Sequence, residues 1–320
     1  MLNRRFLRVK VLQHLFSYYS QSIHTEDHNK LQRDVSLELV KSITNVEKYF
    51  FDIISSVIVF ADINLEKKEI AKSERIKKSK SRFNLSQNLI IKFLRKDKLI
   101  IDSLIKYKNR WNTKEEHLRD WYGIMLNEDF YKNYIDIGEP SVKDDFNFIE
   151  NLILKFLIKN EVVIKYFDES NLYWNEDKYI IRSMLKKTVK SLNSPNFNTF
   201  AVASLSEDID EDSNFASSLF DAVTKNTLEY DRYIDKYAKN WKLERISMID
   251  ISILRMGIGE MISFKNIPTK VTINECIDIA KSFSSNKSGN FVNGLLDVIS
   301  LNLLNAGIIS KTGKGLIDNK

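Results

Sequence analysis

Ile267-Pro268-Thr269-Lys270-Val271-Thr272-Ile273-Asn274-Glu275-Cys276, followed by Ala280-Lys281-Ser282-Phe283 and Phe291-Val292-Asn293-Gly294-Leu295-Leu296-Asp297, is the stretch on which the fold turns. Thr272 and Glu275 stand at the capping-box spacing, at which each side chain satisfies a backbone N–H left unpaired in a first helical turn. The stretch therefore predicts a helix opened by Thr272-Ile273-Asn274-Glu275. Ile273, Cys276, Ile277 and Ala280 share one face of it, so Cys276 is expected to be a small core residue. A last helix is expected around Phe291–Leu304.

Outward from there the chain keeps a helical character. It has 320 residues with only nine glycines and three prolines, and seven of the glycines fall at Gly257 or later. Long stretches free of both residues favour uninterrupted helix, so the first three quarters should be almost wholly helical. A chain of this length buries a core without disulfides.

Val9, Leu12, Phe16 and Tyr19 recur at helical spacing in a first helix from Phe6 to Tyr19, with Lys10, Gln13, His14, Ser17 and Gln21 on the opposite side. A polar connector, Ser22 to Arg33, leads to a helix from Val35 to about Ile63. The apolar run Tyr49–Ala61 within it is too short to cross a bilayer and reads as a buried segment. Further helical stretches are expected near Ser86–Trp111, Lys114–Ile135, Ser141–Phe167 and Asn175–Leu192. Ser194 to Asn214, with Pro195 and the acids Glu207, Asp208, Asp210, Glu211 and Asp212, reads as an exposed connector. A long helix from Ser213 to Asn240 should then pack through Phe215, Leu219, Val223, Leu228 and Ile234, and Leu243–Ile262 should form another. Lys311 to Lys320 reads as a frayed tail.

The chemistry of catalysis has no visible carrier. The single cysteine excludes an intramolecular disulfide and a multi-cysteine metal site, and it fits a cytoplasmic location. His24 and His28 flank Thr25-Glu26-Asp27 in an expected loop, in an order that does not match the zinc-protease patterns. Cys276 has no activating neighbour. Asp144 and Asp145 read as solvated charges. No phosphate loop or dinucleotide fingerprint is present, so neither an enzyme nor a cofactor is expected. The net charge of +6 permits an anionic partner. Between Lys67 and Arg82, eight basic residues (Lys67, Lys68, Lys72, Arg75, Lys77, Lys78, Lys80 and Arg82) face two acids, Glu69 and Glu74. The run reads either as a solvated helix face or as an auxiliary RNA-contacting surface.

The C-terminal motifs, with Ile253-Leu254-Arg255 ahead of them, resemble the signature of the NusB family in order and spacing. The likeness extends back through Trp241, Leu243, Glu244 and Arg245 to Asp212 and Phe215. It returns in the first helix as Arg4-Arg5, Arg8 and Leu12-Gln13-His14-Leu15-Phe16-Ser17-Tyr18. It covers about the first twenty residues and the last hundred or so, and roughly 170 residues between them match nothing in the compact members.

The resemblance implies an all-α fold of two packed helical bundles, the N-terminal one enlarged by inserted helices. Residues 1–241 would form the N-terminal bundle, with the insertion over about 35–205, and 242–309 the C-terminal bundle, ahead of a polar tail at 310–320. It further implies binding of a boxA-like element of single-stranded nascent ribosomal RNA together with a small-subunit ribosomal protein in the NusE role. RNA polymerase would be reached indirectly through that complex, with no membrane and no catalysis.

By position, Arg4, Arg5, Arg8 and Lys10 would meet RNA phosphates. Phe283 and Phe291 flank a loop that approaches RNA, where each ring either stacks on a base or packs in the core. Lys287 stands in that loop where the family can carry an acid. Asn293 offers a polar contact, and the neighbouring Gly294 allows close helix approach. Phe16 and Asp250 match positions that dock the ribosomal protein, with Phe and Asp where some members have Tyr and Glu. A protein-interaction scaffold of the same fold that no longer reads RNA is the competing reading. A NusB-like domain attached to an RNA methyltransferase is disfavoured, because no glycine-rich cofactor loop or catalytic cysteine region follows.

Overall fold

The computed structural model describes residues 2–73, 85–107, 111–193, 197–238, 245–285 and 287–319. Among them the regular structure is helical, and the expected all-α class holds. The chain divides into two compact units: Thr44–Glu207, and Leu2–Ile43 with Asp208–Lys320. These divisions fall near residues 43 and 207.

The second unit holds the residues of interest. It contains α1 (Arg4–Ser22), the beginning of α2 (His28–Ser73) and, further along the chain, α10 (Ile209–Lys225), α11 (Thr227–Tyr237), α12 (Met248–Ser263), α13 (Thr269–Phe283) and α14 (Ser288–Asn305). Helix α12 is central, packing on α1, α10, α11, α13 and α14. Its sequence explains this: Ile251, Ile253, Leu254, Met256, Ile258 and Met261 are all buried, so apolar residues point to every side. Gly257 lets it approach so closely that a Cβ there would lie 3.0 Å from Leu296 and 3.1 Å from the Cys276 sulfur. Each fully buried aliphatic side chain in such a core contributes about 1.5–3 kcal/mol.

Helix α1 starts where Asn3 accepts a hydrogen bond from the Phe6 N–H at 2.8 Å. Its expected polar side is not solvated. Lys10 and His14 are buried along with Leu7, Val11 and Leu15. Helix α2 starts at His28, inside the expected connector; Val35 and Leu39 join this unit's core, and Glu38 comes up to the His14 ring.

Four further expectations are corrected in this unit. The acids at 208–212 open α10: Asp208 caps it through the Glu211 N–H at 2.8 Å, and the acids after it stabilise the positive end of the helix dipole. The long helix from 213 to 240 breaks at Asn226, whose backbone leaves the helical region, and Leu228 is exposed. Helix α13 begins at Thr269, after Pro268, so Thr272 and Glu275 lie inside it and serve other partners. The tail is tied down from Lys311 to Gly315: the Thr312 N–H donates to the Lys265 carbonyl at 3.0 Å, and the Lys311 ammonium to that of Phe264 at 3.1 Å. Trp241, Leu243 and Glu244 lie outside the described residues.

Among the described residues the first unit contains the rest of α2 and the shorter α-helices α3 (Leu89–Leu94), α4 (Lys98–Lys106), α5 (Trp111–Met125), α6 (Asp129–Asp136), α7 (Val142–Asn151), α8 (Glu161–Ser170) and α9 (Trp174–Ser191). A π-helical segment, Leu152–Leu157, follows α7. The run from Tyr49 to Ala61 is buried in α2, as its apolar content predicts. Around it sit Trp111, Trp121, Phe167 and Trp174, the last two stacked 4.8 Å apart. The single helices expected over 86–111 and 141–167 are broken by local caps. Asn88 and Asp97 cap α3 and α4, Ser141 forms a capping box with Asp144, and Asn160 caps α8. Asp145 is not a solvated charge: it is buried, accepting from the Leu89 N–H at 2.7 Å and from the Tyr134 hydroxyl. Burial pushes its carboxyl pKa up. Of the basic run, Lys67 lies 4.8 Å over the Tyr122 ring, whereas Arg75, Lys77, Lys78, Lys80 and Arg82 lie outside the described residues.

Candidate nucleic-acid interface

The N-terminal arginines of α1 meet acids from distant segments. Arg5 donates to Glu275 at 2.9 and 3.0 Å and to Asp278 at 2.7 Å, fastening α1 to the outer face of α13. The Glu275 hydrogen bond is the main reason its pKa is raised. Arg4 pairs with Glu211 at 2.5 Å and lies 4.3 Å over the Phe215 ring. Both side chains keep substantial exposure, 38 % for Arg4 and 49 % for Arg5. The Arg4–Glu211 pair contributes at most about 1 kcal/mol, so a phosphate can exchange for that carboxylate at little cost, whereas Arg5, bidentate on Glu275 and bonded to Asp278, is held more firmly.

Arg8 and Lys10 are placed differently from that expectation. Arg8 is buried and grips Glu260 at 2.7 and 2.8 Å, and Thr272 donates to the same carboxylate at 2.6 Å. Burial opposes the Arg8 charge, but Glu260 outweighs it and holds the pKa above the usual arginine value. Lys10 is fully enclosed, its ammonium 5.2 Å from the Phe6 ring centre. Neither faces solvent, where a phosphate would arrive.

At the far end of α13 a second group converges. Arg245, Ser247, Asp250, Lys287 and Phe291 line a recess of about 320 Å³ between the start of α12 and the start of α14. Lys287 and Arg245 are exposed, and Phe283 and Phe291 are half-buried. Each ring thus combines core packing with an accessible edge. Asp250 sits at the back: its amide is capped by Ser247 and its carboxylate accepts from the Ser288 hydroxyl at 3.1 Å. Asn293 is half-buried one turn into α14, and Gly294 is exposed with no atom near its Cα hydrogens to demand a glycine. Phe16 is 43 % exposed, about 18 Å along α1 from Arg4. Ser20, one turn on, reaches Met248 at 3.7 Å, so this end of α1 neighbours the start of α12 that carries Asp250.

Cys276 is buried against the Ile253 carbonyl, 3.9 Å away, as its position predicts. Among the described residues, no three metal-binding side chains cluster, and no helix is long and apolar enough to cross a membrane. Glu260 and Asp278 are not among the residues expected from the sequence, which gives Glu275 only a helix cap, Glu211 only a place in a connector and Arg245 only a part in the family likeness. Glu260, set among Met256, Gly257, Ile258, Gly259 and Met261 in α12, carried a signal, because a buried acid requires a partner.

These features define an all-helical protein whose first helix is locked by ion pairs onto a C-terminal helical group, with cations and half-buried aromatic rings at both ends of α13. Residues 178–300 match the model of the NusB family. The transcription antitermination protein NusB of Salinibacter ruber is 46% identical over 112 residues, which are 34% of this chain and 70% of that protein. Its counterpart in Chloroherpeton thalassium is 40% identical over 105 residues, 33% of this chain and 50% of that one. That of Natranaerobius thermophilus is 40% identical over 86 residues, 27% of this chain and 62% of that one. A solved structure of NusB from T. maritima is 28% identical and covers 43% of this chain and 84% of its own, with a TM-score of 0.28. The chain belongs to the NusB family.

Proposed function

We propose that this chain is a transcription antitermination factor that binds a boxA-like element of single-stranded nascent ribosomal RNA together with a small-subunit ribosomal protein in the NusE role. It acts in the cytoplasm on the RNA polymerase elongation complex through that assembly, and it works by binding rather than catalysis. The observation that supports this best is the recess at the end of α13. There Phe291, from the family signature, lines the recess together with Lys287 and Arg245. Exposed cations serve phosphates, and an accessible ring edge serves an unpaired base. Arg5 lies along α13 as a half-exposed cation paired with Glu275 and Asp278, and Asn293 adds a polar contact. Phe16 is assigned to the ribosomal protein; Asp250, which is buried and bonded to Ser288, would serve that contact only by holding the start of α14 in place. The unit Thr44–Glu207 is proposed as an insertion into the family fold.

The ion pairs of Arg4 and Arg5 and the enclosure of Arg8 and Lys10 favour a second reading, a scaffold that no longer binds RNA. A titration with labelled boxA-like RNA, with and without the ribosomal protein, separates the two. Antitermination predicts that the partner strengthens binding and that Arg5→Ala with Lys287→Ala weakens it and lowers its salt dependence. No RNA binding, or binding indifferent to the partner and to sequence, overturns the proposal.

A further inference from the structure

A larger recess, about 940 Å³, lies at the opposite end of α13, beside the N-terminus of α1. Its floor is apolar. Phe215 and Phe264 meet edge to face with ring centres 5.0 Å apart, and Ile267 and Pro268 continue the surface. Phe215 is buried and carries Arg4 on one side, while Phe264 is half-buried and accessible from the recess. The rim is cationic. Arg4, Lys265 and Lys314 line it, and the two lysines are exposed with no ion pair among the described residues. The lining acids, Glu211 and Glu275, are already engaged by Arg4 and Arg5.

Lys314 reaches this rim because the end of the chain is strapped across the turn after α12. Beyond the backbone bond from Thr312 to Lys265, the Thr312 hydroxyl meets the Asn266 side chain at 3.1 Å. Gly315 then lies so tightly on the Lys265 carbonyl that a Cβ would fall 2.1 Å from its oxygen. No L side chain fits there, so the strap depends on this glycine.

We propose that this recess is a second subsite for single-stranded RNA, taking a base against Phe264 and the adjoining phosphates on Lys265 and Lys314, with the strap 311–315 as its wall. An apolar floor under a cationic rim is the combination that unpaired nucleotides require, since every base has a stacking face and every linkage a charge. The inference rests on the reading of the chain as an RNA binder and extends it. Helix α13 is 15 residues long, so the two subsites are about 22 Å apart along its axis. Arg5 sits between them, so a strand a few nucleotides long follows the helix from one to the other.

The experiment compares a 12-nucleotide boxA-like RNA with the same RNA extended by four uridines at either end. The full chain and its Lys265→Ala/Lys314→Ala variant are used with the ribosomal protein present. One extended RNA should bind the natural chain at least fivefold more tightly than the unextended RNA. The variant should lose that gain, with a salt slope shallower by about 1.4, two phosphate contacts' worth, and should bind the unextended RNA unchanged. An extension that brings no gain, or a gain that survives in the variant, overturns the subsite while leaving the antitermination reading intact. Failure of the natural chain to bind even the unextended RNA overturns both.

Discussion

Arg8 and Glu260 are joined by two hydrogen bonds, 2.7 and 2.8 Å long, where neither side chain reaches water. The pair ties α1 to the middle of α12 across 252 residues of sequence. Removing one partner strands the other charge in a dry site, which costs about 3–5 kcal/mol. Arg8→Ala is therefore expected to speed hydrogen exchange in α1 and α12 more than a hundredfold, measured peptide by peptide. Arg8→Met with Glu260→Leu, which leaves no stranded charge, should recover much of the protection. Exchange in Arg8→Ala no faster than in the surface variant Arg182→Ala would disprove the structural role.

His14 sets a pH dependence. Burial lowers its pKa; the hydrogen bond to the Lys10 carbonyl and Glu38 oppose this, and the Lys10 charge adds to it. The unfolded chain takes up a proton near the ordinary histidine value of about 6.5, while the folded chain resists. The stability is thus fully present above that value and falls as pH drops below it, toward the lower folded pKa. The urea midpoint should decline between pH 7.5 and 5.5, and less steeply in His14→Gln, whose amide can replace the bond to the Lys10 carbonyl at 2.8 Å. Equal slopes for the two proteins would refute the assignment.

The helical class was legible because so few glycines and prolines interrupt the chain, and the burial of Cys276 because apolar neighbours share its face. What one helix meets was not legible. Lys10 and His14 satisfy an amphipathic pattern on α1, and only the folded unit encloses them, His14 beside Glu38 of α2. Thr272 and Glu275 have capping-box spacing, but their side chains are taken by Glu260 and Arg5. At the candidate interface Arg4 and Arg5 were visible as cations. Their acids, 207 and 270 residues away, become neighbours only through the fold. Local spacing therefore identified the charges but not what already occupies them.

Asp208 tests the reassigned acidic run. As the cap of α10 it accepts from the Glu211 N–H, and a lost cap of this type costs about 1 kcal/mol. Asp208→Ala should accelerate amide exchange in the first turn of α10 about fivefold while leaving α14 unchanged. An unchanged first turn would return these residues to the role of an unstructured connector.

Cys276 is expected to be chemically silent in the folded chain. It is 1% exposed, and burial pushes its thiol pKa up, so the reactive thiolate is suppressed. A disulfide reagent at pH 8 should label it only after denaturant is added, at a rate that follows unfolding. Rapid labelling of the native chain would place the thiol on an accessible surface, against the packing of α12 on α13.

Gly315 offers the sharpest test of the chain end. The strap it belongs to holds Lys314 at the rim of the larger recess, and its contact with the Lys265 carbonyl leaves no room for a methyl group. Gly315→Ala must displace either the strap or the turn at Lys265, and the strap is the more weakly held, tied by a few hydrogen bonds at the surface. Trypsin should then cleave after Lys311 faster than in the natural chain, because the Lys311 ammonium loses its bond to the Phe264 carbonyl. The melting temperature of the remainder should barely move. The same variant should forfeit the affinity gained from an extended RNA, as the double lysine variant does, although both lysines are still present. Cleavage at the natural rate would mean that the strap tolerates the methyl group, and retained gain despite faster cleavage would mean that Lys265 holds the nucleotide without the strap.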